Sequence, residues 1–294
     1  MEIDGVFSGG GVKAFAFVGA YQVLTEKGYT FKRVAGTSAG SIVAAFIAAG
    51  YNVKEMEKAL EELDTKSLLD PPKCSKTLPL LKWLNLYFRL GLYKGRILEK
   101  WLCKKLGEKG VRTFGDLPEG ALKVVASDLS NGRMIVIPDD LHLYGQDWRE
   151  FSIAKALRMS CGIPFFFEPV KLNTEKGDSI FVDGGVLSNF PLWIYDNGKR
   201  VRPLLGLKLS SPITEIHPHK IGNGLHLFEA LIKAMMNAHD NRYISRRHEK
   251  NIIFIPVEHY NAAQFDLDDE AKKHLIQLGR TKTEEFLQNW RPVV

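Results

Sequence analysis

Two strand-to-helix turns, both punctuated by glycine, lie between Ile3 and Gly50, and they restrict the fold more than any other feature of the chain. The apolar run Ile3 to Ser8 enters Gly9-Gly10-Gly11. Apolar residues then recur at helical spacing from Val12 to Lys27, and Gly28 is placed to cap that helix. Lys32 to Gly36 reads as a second short strand. It enters Gly36-Thr37-Ser38-Ala39-Gly40 and the almost wholly apolar helix "SAGSIVAAFIAAG". Strand, helix, strand, helix at this spacing implies a right-handed parallel βαβ unit.

The rest of the chain reads as further elements of the same kind. Val53 to Leu63 is an amphipathic helix. "ALKVVASDL" and "RMIVIP" form a hairpin about Asn131 and Gly132. Ser152 to Met159 is a helix, and "FEPVKLN" and "SIFVDGG" are strands around the turn "TEKGD". "RPLLGLKL" and "NIIFIPV" are buried strands, while Leu225 to Asn237 and Asp268 to Trp290 are helices. With 45% hydrophobic residues in 294, the chain can bury one large core, and no stretch has the composition of a linker. The expectation is a single α/β domain over 1–294, three-layered α/β/α, with a mostly parallel central sheet. Residues 66–102 stand apart as a dense mixture of leucine, aromatics and proline, and 211–294 supply elements that complete the domain.

The pattern Gly36-x-Ser38-x-Gly40 between a strand and a helix is what a serine nucleophile requires. A sharp turn projects the hydroxyl, glycines avoid clashes across that turn, and the helix N-terminus favours negative charge beside the serine. The simpler alternative is that Ser38 only N-caps the helix. The glycine loop has rivals too. Gly9-Gly10-Gly11-Val12-Lys13-Ala14 satisfies a relaxed dinucleotide fingerprint, but the second strand ends in the serine turn where a ribose-binding acid is required. No Gly-Lys-Ser/Thr closes the loop as in a P-loop. Backbone N–H groups aimed at the oxyanion of an attacked carbonyl remain.

Ser38 needs a base. His217, His219, His226, His239, His248, His259 and His274 follow it in the order of an α/β-hydrolase triad, but none lies in a glycine-rich or turn-rich motif. Asp183 is better placed: it ends an apolar strand, and Gly184-Gly185 follow, so its carboxylate emerges at the same sheet edge as Ser38. The alternative there is an ordinary Asp-Gly turn.

Taken in order, the glycine loop, the Ser38 turn and "VDGGVLSNFP" resemble the patatin-like phospholipase family, as do "TFGDL" and "ALRMSCGIPFFFEPV" between them. The resemblance spans roughly residues 3 to 210. It implies the patatin-like fold and a Ser–Asp dyad. Ser38 would be the nucleophile and Asp183 the general base. Gly10 and Gly11 N–H groups would form the oxyanion hole, with Gly9 and Val12 shaping the loop. The reaction implied is cleavage of carboxylic ester bonds in phospholipids or lysophospholipids through an acyl-serine, with no metal and no cofactor. A neutral-lipid or generic esterase, or a non-catalytic lipid-binding protein of the same fold, are the alternatives. The family loop usually carries arginine and glycine where this chain has Lys13 and Ala14; neither change touches the backbone donors.

Charge and composition set expectations for partners. The 40 basic and 34 acidic residues leave a net +6, which suits an anionic membrane surface better than nucleic acid. Three scattered cysteines, with no secretory signal and no membrane-length apolar run, fit a cytoplasmic protein able to contact membranes peripherally. Within 66–102, Leu80, Leu84, Tyr87 and Phe88 share a helical face, and Trp83 adds an interfacial residue type. They are the candidate lid or membrane contact. The three phenylalanines of "PFFFEP" are assigned to the core.

Overall fold

The structure is a computed structural model. It describes residues 1–63, 70, 86–175, 177–196, 200–210, 222, 230, 234, 249–257 and 267–292. In chain order its main elements are β1 (Glu2–Phe7), α1 (Phe15–Glu26), β2 (Thr30–Thr37), α2 (Ala39–Ala48), α3 (Val53–Glu61), β3 (Gly91–Tyr93), α4 (Arg96–Glu108), β4 (Leu122–Asp128) and β5 (Arg133–Ile137). Then come α5 (Ile153–Ser160), β6 (Phe165–Phe167), β7 (Val170–Thr174), β8 (Gly177–Asp183), β9 (Leu204–Lys208), β10 (Ile252–Phe254) and α6 (Asp269–Asn289).

The expected α/β architecture is present. The main sheet runs β10–β9–β1–β2–β4–β8–β7, with β5 on the other edge of β4. β10, β9, β1, β2 and β4 are mutually parallel, whereas β5 and β8 run antiparallel to β4 and β7 runs antiparallel to β8. Alternation along the strands separates two cores. Ile3, Phe7, Val34, Leu122 and Val124 face the helices, and Val6, Ala35 and Val125 face the opposite side. There Phe190, Leu192, Ile194 and Tyr195, from a segment of short 3-10 turns, form the third layer.

The register of β4 determines where the site lies. β5 occupies one edge of β4 along Val124 to Asp128. The other edge is shared: β2 pairs with Leu122 to Val125, ending at Thr37↔Val125, and β8 pairs with Ala126 to Asp128, ending at Asp183↔Ala126. β2 and β8 therefore approach each other end to end, and their C-terminal residues meet beside two consecutive residues of β4. Ser38 follows the first end, and Asp183 is the second.

Three features depart from the sequence reading. Gly11–Ala14 is a 3-10 turn rather than the first turn of α1, because Gly11 takes φ 59. β3 and β6, a separate parallel pair, and the helix α4 were not anticipated. The helix expected over Leu225 to Asn237 lies outside the described residues.

Candidate active site

Ser38 sits between β2 and α2 at φ 51 and ψ −131, a conformation that costs a non-glycine residue on the order of 1–3 kcal/mol. Gly40 makes the turn possible by close approach. A Cβ on it would stand 2.3 Å from the Ser8 carbonyl oxygen and 2.6 Å from that of Phe7. This lack of a side chain lets the start of α2 press against the end of β1, bringing the glycine loop next to Ser38. Gly36 faces Gly40 across the same turn, where a Cβ would lie 2.6 Å from the Gly40 carbonyl.

The Ser38 side chain makes no capping bond to its helix, so the simple N-cap reading is wrong. Its hydroxyl donates instead to Asp183 Oδ2 at 2.8 Å. Asp183 Oδ1 accepts the Gly185 N–H at 2.8 Å, and the Asp183 N–H donates to the Gly162 carbonyl, also at 2.8 Å. Both residues are buried. Burial pushes the Asp183 carboxyl up to about 6, against the opposing pull of the Gly185 N–H and the Ser38 hydroxyl. The contact is direct, with no histidine between the two residues. Among the described residues His142 lies at an exposed turn, its Nδ1 2.8 Å from the Asp139 carbonyl, and His274 belongs to α6. His217, His219, His226, His239, His248 and His259 fall outside the described residues.

A serine that the sequence reading did not single out holds the turn. The Ser38 N–H donates to Ser160 Oγ at 2.8 Å, and the Ser160 hydroxyl donates to the Val125 carbonyl at 2.6 Å. Ser160 ends α5 and is fully buried. It joins the strained Ser38 backbone to the β4 residue where β2 ends. Ser41 Oγ and N–H both donate to the Ser38 carbonyl, at 2.6 and 2.9 Å. The Ser38 backbone is thus fixed on both sides while the side chain is left to Asp183.

In the glycine loop, the Gly9 N–H donates to the Asn189 carbonyl at 2.9 Å, so this amide is committed to tying the loop to the segment after Asp183. Gly9 is a loop residue expected to shape rather than donate, and its N–H is engaged inside the protein. No acceptor among the described residues meets the Gly10 or Gly11 N–H. Gly11 and Val12 line a cavity together with Ser38, Phe15, Ile42, Leu60 and Leu98. Cys161, Ile163 and Phe167 line it as well. Burial, with the Asp183 charge adding to it, pushes the Cys161 thiol up, which keeps it neutral.

Phe167 thus contributes to the cavity wall and Phe165 is 49% exposed, so the phenylalanine run is not the plain core expected of it. Leu80, Trp83 and Leu84 lie outside the described residues, whereas Tyr87 and Phe88 are exposed.

Fold and site together define an α/β protein in which a serine on a strained strand-to-helix turn bonds directly to a buried aspartate beside an apolar cavity. The profile of the family described as patatin-like phospholipase matches residues 5–195. YqhO of Bacillus subtilis is 53% identical over 290 residues, covering 99% of each chain. An NTE family protein of Mycobacterium tuberculosis is 30% identical over 186 residues, 63% of this chain and 27% of that one. Among solved structures, VipD from Legionella pneumophila aligns with a TM-score of 0.58 at 19% identity, covering 98% of this chain and 67% of that chain. The chain belongs to the patatin-like phospholipase family.

Proposed function

We propose that the protein is a serine acyl hydrolase that cleaves carboxylic ester bonds of phospholipids or lysophospholipids with a Ser38–Asp183 dyad, the whole chain 1–294 forming one catalytic domain. The observation that carries this reading is the 2.8 Å hydrogen bond to Asp183 Oδ2 from the hydroxyl of Ser38, a residue that lines an apolar cavity. Family membership supports the hydrolytic chemistry, and the apolar lining supports an acyl chain as the group held.

The reaction follows from the groups present. Ionised Asp183 takes the Ser38 proton as Oγ attacks the ester carbonyl carbon, and the carbonyl oxygen becomes an oxyanion facing the Gly10 and Gly11 N–H groups. Collapse breaks the bond to the leaving alcohol, which receives the proton from Asp183, and leaves the acyl group on Ser38. Water then gives a proton to Asp183 and attacks the acyl carbon. The second tetrahedral species breaks the bond to Oγ, Ser38 regains the proton, and a fatty acid departs. The raised proton affinity of Asp183 suits both halves, because its carboxyl must be ionised to start each one and neutral to finish it.

Mass-spectrometric measurement of fatty acid released from phospholipid and lysophospholipid tests the proposal. Wild type is expected to release fatty acid and lyso- or glycerophospho-product in equal amounts, and Ser38→Ala to release neither. Equal release by both proteins would overturn it.

A further inference from the structure

Exposed apolar side chains are concentrated in one neighbourhood. Tyr87 and Phe88 are 78% and 74% exposed and pack edge to face with ring centroids 5.0 Å apart. Leu90, just before β3, and Ile97, at the start of α4, are also exposed. β3 pairs with β6 so that Gly91 lies opposite Phe165, which puts half-exposed Phe165 beside Leu90. Among the described non-glycine residues, positive φ occurs at Ser38, Leu90 and Phe165 alone. Bulky side chains avoid that region because of steric crowding, and strain of this kind collects at functional surfaces. Here two of the three cases hold large apolar side chains toward solvent.

The same neighbourhood carries a positive edge. On α4, Arg96, Lys100 and Lys104 are exposed and fall four residues apart, so they form one stripe along the helix. Arg89 adds a further exposed cation, shared with Glu168 at 3.4 Å. The acids flanking the stripe are Glu99 and Glu108 on α4, Glu62 near Lys104, and Asp70, which accepts the Gly95 and Arg96 N–H groups at the start of the helix. The opposite face of α4 buries Leu98, Leu102 and Leu106. Leu98, with Ile163 and Phe167 around β6, lines the cavity that reaches Ser38. The short elements that present the aromatic patch outward therefore also form the wall of the cavity.

We propose that this face docks on an anionic lipid bilayer, with Tyr87, Phe88, Leu90 and Phe165 entering the acyl region and the Arg96–Lys100–Lys104 stripe lying on the headgroups. The occupant follows from charge and continuity. Aromatic and aliphatic knobs bordered by cations match the layered chemistry of a membrane interface, and the adjoining cavity accepts what that interface supplies. The inference rests on the acyl-hydrolase reading for its purpose, but its test does not use the dyad.

Co-sedimentation with vesicles of phosphatidylcholine, with or without phosphatidylserine, measures docking directly. Wild type is expected to bind the mixed vesicles more tightly, with affinity falling as salt rises. Lys100→Glu/Lys104→Glu removes that preference, by roughly tenfold or more, and Tyr87→Ser/Phe88→Ser weakens binding to both vesicle types. Both double variants keep the wild-type circular dichroism spectrum and the wild-type rate on a soluble short-chain nitrophenyl ester. Wild type that ignores both vesicle types, or variants that bind as wild type does, would overturn the proposal. So would a lipid-free dimer that Tyr87→Ser/Phe88→Ser dissociates and that does not bind vesicles, since the patch would then be a contact between copies. A wild type that binds vesicles but hydrolyses no ester would sink the acyl-hydrolase reading and leave docking intact.

Discussion

Two buried aspartates in the same sheet show how surroundings decide what a carboxylate is for. Asp4 lies in the body of β1, opposite Arg33 in the register with β2. Arg33 bonds to its Oδ2, and Arg202 Nη1 lies 3.8 Å from its Oδ1. Asp183 lies at the end of β8, opposite Ala126, and receives one hydroxyl and one backbone N–H. The first acid is answered by two guanidiniums, one of them stacked 4.7 Å from the Tyr195 ring. The second has only neutral donors, and burial pushes its carboxyl up to about 6. A compensated charge holds strands together; an uncompensated one at a strand end is free to exchange a proton with its neighbour.

The largest expected effect separates the two acids by activity. Asp183→Asn is expected to lower kcat/KM on a phospholipid by about 10²–10⁴-fold or more, while Asp4→Asn leaves it within a few fold; similar losses in both would erase the distinction. Next comes Ser160→Ala, which leaves the Ser38 N–H without its acceptor. The expected loss is roughly tenfold in kcat with KM unchanged, partly recovered in Ser160→Thr. A change confined to KM, or none, would remove Ser160 as the residue that positions the nucleophile.

Stability is expected to order the acids the other way. Asp4→Ala strips Arg33 of its partner and should destabilise by about 2–3 kcal/mol, discounted because Arg33 is partly exposed. Asp183→Asn should stabilise at neutral pH. With the Asp183 carboxyl raised from 3.8 to about 6, holding it ionised costs the folded state nothing below 3.8. The cost grows as pH rises through that window and is complete above about 6, reaching about 3 kcal/mol at most. The Tm of Asp183→Asn should therefore exceed that of wild type at pH near 8 and converge with it near pH 4 (differential scanning calorimetry). A variant less stable at every pH would contradict this.

Both sides of the site carry marks in the sequence, for a local reason. A glycine-flanked serine after a strand, a glycine loop after a strand and an aspartate before two glycines are short-range demands of tight turns, written in adjacent residues. The link between them is not local. That β2 and β8 meet end to end depends on how β4 divides one edge between them, and the antiparallel direction of β8 leaves no trace in its composition. Ser160 is hidden for the same reason. It sits in "RMSCGIP" as an ordinary helix-terminal serine until the fold brings it to Ser38, 122 positions away. Phe165 and Phe167 show a third limit: two apart on a strand they would share a face. Yet Phe165, at positive φ, is half exposed while Phe167 is buried against the cavity, a break in alternation that a run of identical residues does not reveal.

The central claim is that Ser38 attacks and Asp183, unaided by histidine, takes its proton. The pH dependence of Ser38 labelling by a fluorophosphonate, read by intact-protein mass spectrometry, tests it most directly. The account predicts one adduct, absent in Ser38→Ala, with a rate that falls as pH drops through about 6 and that collapses at every pH in Asp183→Asn. Labelling that persists in Ser38→Ala, or an acidic limb that survives in Asp183→Asn and disappears when a histidine such as His239 is replaced, would contradict it.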